Sequence, residues 1–229
     1  MNYPKKSVCK DCIGPCRFIE FCDKETALIY AQSMANVFYK KKETLVKQNS
    51  LTSNIFYLKS GLVKLFTERR NDKNILLQIV SPNNFIGITH LYTDVYNYTA
   101  MAVQDCEVCI LPKSIVLQLM KANEKLNDLI LREHSDISSF YIDKISSLGT
   151  KQMHGRLADA ILYLSRPEFE GTAVFESITR KDIAEISGMS SESAIRLLTE
   201  FKNDGLIKTE GKKIVINNLE LINRLSEIG

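Results

Sequence analysis

Four of the six cysteines in this 229-residue chain fall in its first two dozen residues, as Cys9, Cys12, Cys16 and Cys22 of the run CKDCIGPCRFIEFC. Thiolates crowded in this way hold a soft metal, exchange disulfides, or bind nothing. The start of the chain, MNYPKKSVCKDC, has no apolar h-region, so a cytoplasmic address is expected. In that reducing compartment clustered cysteines favour metal binding or redox chemistry over a disulfide framework. The other two, Cys106 and Cys109, lie in YTAMAVQDCEVCILP, where alternation puts Cys106, Val108 and Ile110 on one face and Glu107, Cys109 and Leu111 on the other.

A second chemistry is written in residues 179–205, TRKDIAEISGMSSESAIRLLTEFKNDG. Thr179 with Asp182 three residues on is a capping box that starts a helix running to about Ile186. Ser187-Gly188-Met189 is a tight turn, Ser190 caps a second helix that reaches Asn203, and Gly205 stops it. Two short helices about such a turn make a helix-turn-helix. Ala194, Leu197, Leu198 and Phe201 recur at helical spacing and belong to a core. The opposite face presents Ser191, Glu192, Ile195, Arg196, Thr199 and Lys202. That face suits the major groove: Arg196 can be bidentate to guanine O6/N7, Glu192 can accept from a cytosine amino group, and Ile195 can meet a thymine methyl. Thr179, Arg180, Ser190 and Lys202 are placed to hold phosphates. After Gly205, LIKTEGKKIVI reads as two strands about Glu210-Gly211, a wing whose Lys212 and Lys213 can reach the backbone of DNA. The net charge of +3 is too small to imply nucleic acid, and acids nearly balance bases from Lys151 onward, so placement rather than bulk charge makes the footprint.

These groups need elements to position them. An apolar content of 45% is ordinary for a folded, soluble chain, and no apolar run approaches the roughly 18 residues that span a bilayer, so no membrane partner is expected. From Asn54 to Leu111, short runs of β-branched and aromatic residues are punctuated by Ser60-Gly61 and Pro-Asn-Asn, the pattern of an antiparallel barrel or roll. From about Ser114 to Leu148 there is neither Gly nor Pro, which predicts one long helix. Leu126, Ile130, Ile137, Phe140, Tyr141, Ile145 and Leu148 form its stripe, interrupted at Glu133 and Lys144, and a parallel homodimer seam is expected there. Gly149 marks a hinge. The expected organisation is an arm at 1–25, a roll at 26–112, a dimerisation helix and hinge at 113–149, and a winged helix-turn-helix domain at 150–229.

A roll, a long dimer helix and a winged helix-turn-helix, in that order, resemble the Crp/Fnr family of bacterial transcription regulators over almost the whole chain. The resemblance implies an α+β fold with an N-terminal cyclic-nucleotide-binding-like β-roll, and a homodimer that binds a palindromic double-stranded site, with RNA polymerase as partner. Glu192 and Arg196 match the family's recognition-helix pattern, which implies a T-G-A core in each half-site; Ile195 departs from the Gly or Ser usual there. The cyclic-AMP branch uses a Phe-Gly-Glu and an Arg-Ser-Ala segment. Here FIGITHL and YTA place Ile88 where the Glu would be and Tyr98 where the phosphate-pairing Arg would be, so cAMP is not expected.

The Fnr branch holds a 4Fe-4S cluster with three cysteines in an N-terminal arm and a fourth in the roll. Laid on that branch without gaps, Cys109 takes the fourth position, Cys9 and Cys12 reproduce the C-x-x-C pair, and Cys16 is the third ligand with Cys22 its alternate. The spacing after Cys12 is three residues where the branch has five. Four thiolates from two segments suit a cubane cluster, while Cys9, Cys12, Cys16 and Cys22 alone would suit tetrahedral zinc. His90 lies near the region where the family binds effectors, and haem with His90 as ligand is a further alternative, as is an organic effector in the roll. Catalysis is not expected, because a thiol oxidoreductase needs its C-x-x-C at a helix start in a thioredoxin-like βαβ context.

Overall fold

The structure is a computed structural model that describes residues 33–69 and 74–229. The arm cysteines Cys9, Cys12, Cys16 and Cys22 lie outside the described residues. Two compact units are present, one comprising the described residues through Thr67 together with Ile79–Ser138, the other Glu68–Gln78 and Ser139–Gly229.

The first unit is a β-roll. The roll's strands are β1 (Ala35–Tyr39), β2 (Thr44–Val46), β3 (Asn54–Ser60), β4 (Val63–Thr67), β5 (Ile75–Val80, its residues through Gln78 counted with the other unit), β6 (Phe85–Ile86), β7 (Thr99–Ala102) and β8 (Cys106–Pro112). They form two four-stranded sheets, ordered β1-β8-β3-β6 and β2-β7-β4-β5. The predicted Ser60-Gly61 turn joins β3 to β4. Gly61 has φ +87°, and a Cβ there would run into the carbonyl of Asp105 and the sulfur of Cys106, so only glycine fits. Leu58, Leu62, Val63, Ala100 and Val108 are wholly buried in the roll.

Strand β8 is central in its sheet. Its Cys109 stands opposite Asn36 of β1 and Tyr57 of β3. The sheet face bearing Ile55, Tyr57, Cys109 and Leu111 is covered by Val116, Leu119 and Met120 of α1 (Lys113–Ala122) and by Leu126 and Ile130 of α2 (Glu124–Thr150). Burying each of these large side chains contributes about 1.5–3 kcal/mol, which fixes the start of the helical segment on the roll.

The single helix expected over 114–148 is two. Asn123 leaves the helical region at φ −139° and ψ 104°, and its Oδ1 accepts the Leu126 N–H at 3.1 Å. Asparagine is a strong N-cap, so it ends α1 and starts α2 at one residue. Gly149, expected as the hinge, is helical. The helix ends at Thr150, and Gln152 is extended.

The second unit continues with α3 (Met153–Leu164), α4 (Val174–Ser177), α5 (Arg180–Ile186), α6 (Ser191–Asn203), β9 (Ile207–Glu210), β10 (Lys213–Ile216) and α7 (Leu219–Ile228). Leu157, Ile161, Ile183, Leu197, Phe201, Ile214 and Ile222 form its interior. The N–H of Gln152 donates to the carbonyl of Gly229 at 2.8 Å, which ties the start of α3 to the end of α7.

Candidate functional site

Helix α5 begins with both halves of the capping box. The Asp182 N–H donates to Thr179 Oγ1 at 3.1 Å, and Asp182 Oδ2 accepts from the Thr179 N–H and hydroxyl, both at 2.7 Å. The turn to α6 passes through Gly188 at φ +61°. Ser190 Oγ then accepts the Ser193 N–H at 3.1 Å. These caps satisfy orphan donors at both helix starts and hold α6 at a defined angle to α5.

Helix α6 divides into two faces. Ala194, Leu197, Leu198 and Phe201 are buried. Glu192, Ile195, Arg196, Thr199 and Lys202 are exposed and Ser191 is partly so, and Ile195 is a large apolar side chain left 51% exposed. Among the described residues no ion pair ties down Arg196, Lys202 or Lys212. The Glu192 carboxyl is held below its usual range by its own backbone N–H and the Ser190 hydroxyl, so it is an ionised acceptor. The Thr199 hydroxyl donates back to the Ile195 carbonyl at 2.9 Å. Thr179 and Ser190 spend their hydroxyls on caps, and Arg180 is partly buried at the first turn of α5. The wing is an antiparallel pair with Lys213 opposite Glu210 and with Lys212 exposed at its tip.

Sequence reading missed what braces α6 from behind. His154 of α3 places Nε2 3.0 Å from Glu200 Oε1, and its ring stacks on Phe201 with centroids 6.2 Å apart. The pairing spans 46 residues, and no local pattern announces it.

In the roll, both described cysteines are buried. Cys106 donates its S–H towards the carbonyls of Leu62 and Gln104 at 3.3 and 3.2 Å, and burial pushes its thiol up to about 11. It is a protonated, inert thiol at neutral pH. Cys109 faces the other way, into the cluster shared with α1 and α2. Met34 packs in that same cluster, and the second residue of β1, Asn36, stands opposite Cys109. His90 is buried with Nε2 2.8 Å from Asn97 Oδ1 and Nδ1 3.0 Å from Thr89 Oγ1. Its ring meets Tyr98 edge-on at 4.9 Å and Tyr96 at 5.4 Å. Desolvation lowers its pKa against the pull of Asn97, so the ring is neutral. Ile88 is buried in the apolar cluster beneath the helices, and Tyr98 is buried against His90 and Tyr96.

A β-roll, a long helix and a winged helix-turn-helix with a polar recognition face define a transcription regulator that binds DNA through its C-terminal unit. Residues 36–123 match the family described as Cyclic nucleotide-binding domain, and residues 155–225 the one described as Crp-like helix-turn-helix domain. The chain belongs to the Crp/Fnr family. It is 28% identical over 220 residues to the Anaerobic regulatory protein of Haemophilus influenzae, covering 92% of this chain and 84% of that one. It is 26% identical over 186 residues to the cAMP-activated global transcriptional regulator CRP of Salmonella typhimurium, covering 78% and 87%. The solved structure of FixK2 from Bradyrhizobium japonicum has the same fold, with a TM-score of 0.76 at 17% identity over 84% of this chain and 96% of FixK2. Among the described residues no helix is long and apolar enough to cross a membrane.

Proposed function

We propose that the protein is a homodimeric, cytoplasmic regulator that binds a palindromic promoter site through α6. It would answer to redox state or oxygen through a 4Fe-4S cluster held by Cys9, Cys12, Cys16 and Cys109. The observation that carries the DNA reading is the division of α6: a fully buried face anchors the helix, and the other face offers Glu192, Ile195, Arg196 and Lys202 without a competing described partner for Arg196 or Lys202. Identity does not choose the signal, since relatives named for cAMP and for anaerobic regulation match almost equally. The residues do. Ile88 has no polar group for a ribose hydroxyl, and Tyr98 brings no positive charge to a cyclic phosphate. Met34 and Asn36, among the first described residues, lie in the cluster with Cys109 and opposite it, which fits a ligand set drawn from the arm and this strand. When bound, such a cluster supplies a redox centre that oxygen degrades. Haem at His90 is the weaker reading, because ligation would break a contact that each ring nitrogen already makes.

Anisotropy titration of a labelled palindromic duplex with two T-G-A half-sites tests the DNA face. Arg196→Ala should weaken binding by about 1–3 kcal/mol per recognised guanine and relax preference at that base. Lys202→Ala should weaken specific and random duplexes alike and flatten the salt dependence. Operator binding by Arg196→Ala at the affinity and selectivity of the unaltered protein would remove the assignment of this face.

A further inference from the structure

A cleft of about 460 Å³ lies wholly within the second unit, lined by the C-terminal half of α2, by α3, by the end of α5 and by α7. Six charged side chains line it: Lys144, Lys151, Arg156 and Arg166 against Asp143 and Asp159. Asp159 is already saturated. Lys151 donates to both its oxygens at 2.9 Å, and the hydroxyls of Ser147 and Ser226 each donate at 2.5 Å. That pair cancels and leaves a cationic excess.

Two of the remaining cations are poorly satisfied. Arg156 Nε is buried and has no hydrogen-bond partner among the described residues. Lys144 Nζ donates to the Ile186 carbonyl at 3.2 Å, and among the described residues no carboxylate pairs with it or with Arg156. Burial without a counter-charge pulls the Lys144 ammonium down to about 7. Buried donors are almost always paired in folded proteins, so a guanidinium lining a cavity with its Nε unpaired is incompletely satisfied. The guanidinium of Arg166 stacks 5.3 Å from the Tyr163 ring and 5.9 Å from that of Phe140, which gives the cleft an aromatic side as well. Volume and lining are those of a small-molecule site rather than of a single ion.

We propose that this cleft binds a small molecule bearing an oxyanion, phosphate or carboxylate, gripped by Arg156 and Lys144. Arg156 offers a planar fork of donors that matches either group, and Lys144 a point charge beside it. The site is an effector site in the DNA-binding unit, separate from the roll. Lys144 also holds the carbonyl of Ile186, the last residue of α5, and a Cβ on Gly188 would strike Leu148 of α2. An anion that draws Lys144 towards itself therefore acts on the turn that aims α6, and changes operator affinity without touching the recognition face.

Calorimetric titration with pyrophosphate and with citrate, at constant ionic strength set by chloride, tests this. The expected result is saturable binding of one or both at one site per chain. It should weaken at least tenfold in Arg156→Met and in Lys144→Met, and stay unchanged in the double variant Arg196→Ala, Lys202→Ala. Binding of pyrophosphate alone identifies a phosphate ligand, and of citrate alone a carboxylate. Absence of saturable binding by both probes overturns the proposal, as does loss of binding in the recognition-face variant, which would place the anion on the DNA surface. Should Arg156→Met fail to fold, Lys144→Met decides, since it removes a charge and keeps the aliphatic stem.

Discussion

The ammonium of Lys144 illustrates how one residue carries information that periodicity hides. In sequence it interrupts an apolar stripe; in the structure its side chain lies within the second unit and bonds the end of α5. Its pKa falls from 10.5 to about 7 because burial penalises the charged form. An unfolded lysine keeps its proton to about pH 10, so the unfolded state binds more protons between pH 7 and 10. The Lys144 contribution to stability should therefore rise with pH across that window, its penalty being complete below pH 7. Lys144→Met should be more stable at pH 6 by roughly 1–3 kcal/mol, a gain that shrinks towards pH 10. Urea unfolding of both proteins at several pH values in chloride buffer checks this. A variant destabilised at pH 6, or a difference that ignores pH, would show that the buried charge is not what Lys144 contributes.

At the scale of elements, local signals were legible and packing partners were not. The capping box at Thr179 and Asp182, the Gly188 turn, the Ser190 cap and the Glu210-Gly211 wing were all read from neighbours in sequence, and each has the expected backbone. The break at Asn123 was missed because an uninterrupted run without Gly or Pro outweighed a lone asparagine cap. The stripe on α2 was read as one seam, yet Leu126 and Ile130 are buried in the protomer's own roll cluster. The apolar side chains left open are Leu131, Ile142 and Ile145, exposed by 58%, 66% and 69%. Spacings of 3, 11 and 14 put them on one helix face, which a second copy of α2 would cover. Periodicity gives the phase of a stripe but not which part of it the same chain consumes. Replacing Ile142 and Ile145 together by Glu should give a monomer in sedimentation velocity, with unchanged helix content and weakened binding to the palindrome. A dimer that survives both changes would place the interface elsewhere.

For the whole molecule, the proposed account joins a thiol-bound cluster at the roll to the placement of two recognition helices. A cofactor that binds one packing of the dimer better than another shifts the population between them, and the operator reads the shift because its half-sites are a fixed distance apart. The family was legible from the order of its elements. The signal was not, because it rests on cysteine spacing in an arm and on one strand residue, Cys109, whose burial alone would suit a core thiol equally well. The most direct measurement is to purify the protein without oxygen, assay iron and acid-labile sulfide per chain, and titrate the palindromic duplex before and after exposure to air, alongside Cys109→Ser. The account predicts about four irons with matching sulfide, a broad visible absorbance that air bleaches, an operator affinity that changes with it, and loss of all three in Cys109→Ser. A colourless protein carrying zinc or no metal, with operator binding indifferent to air, would contradict it.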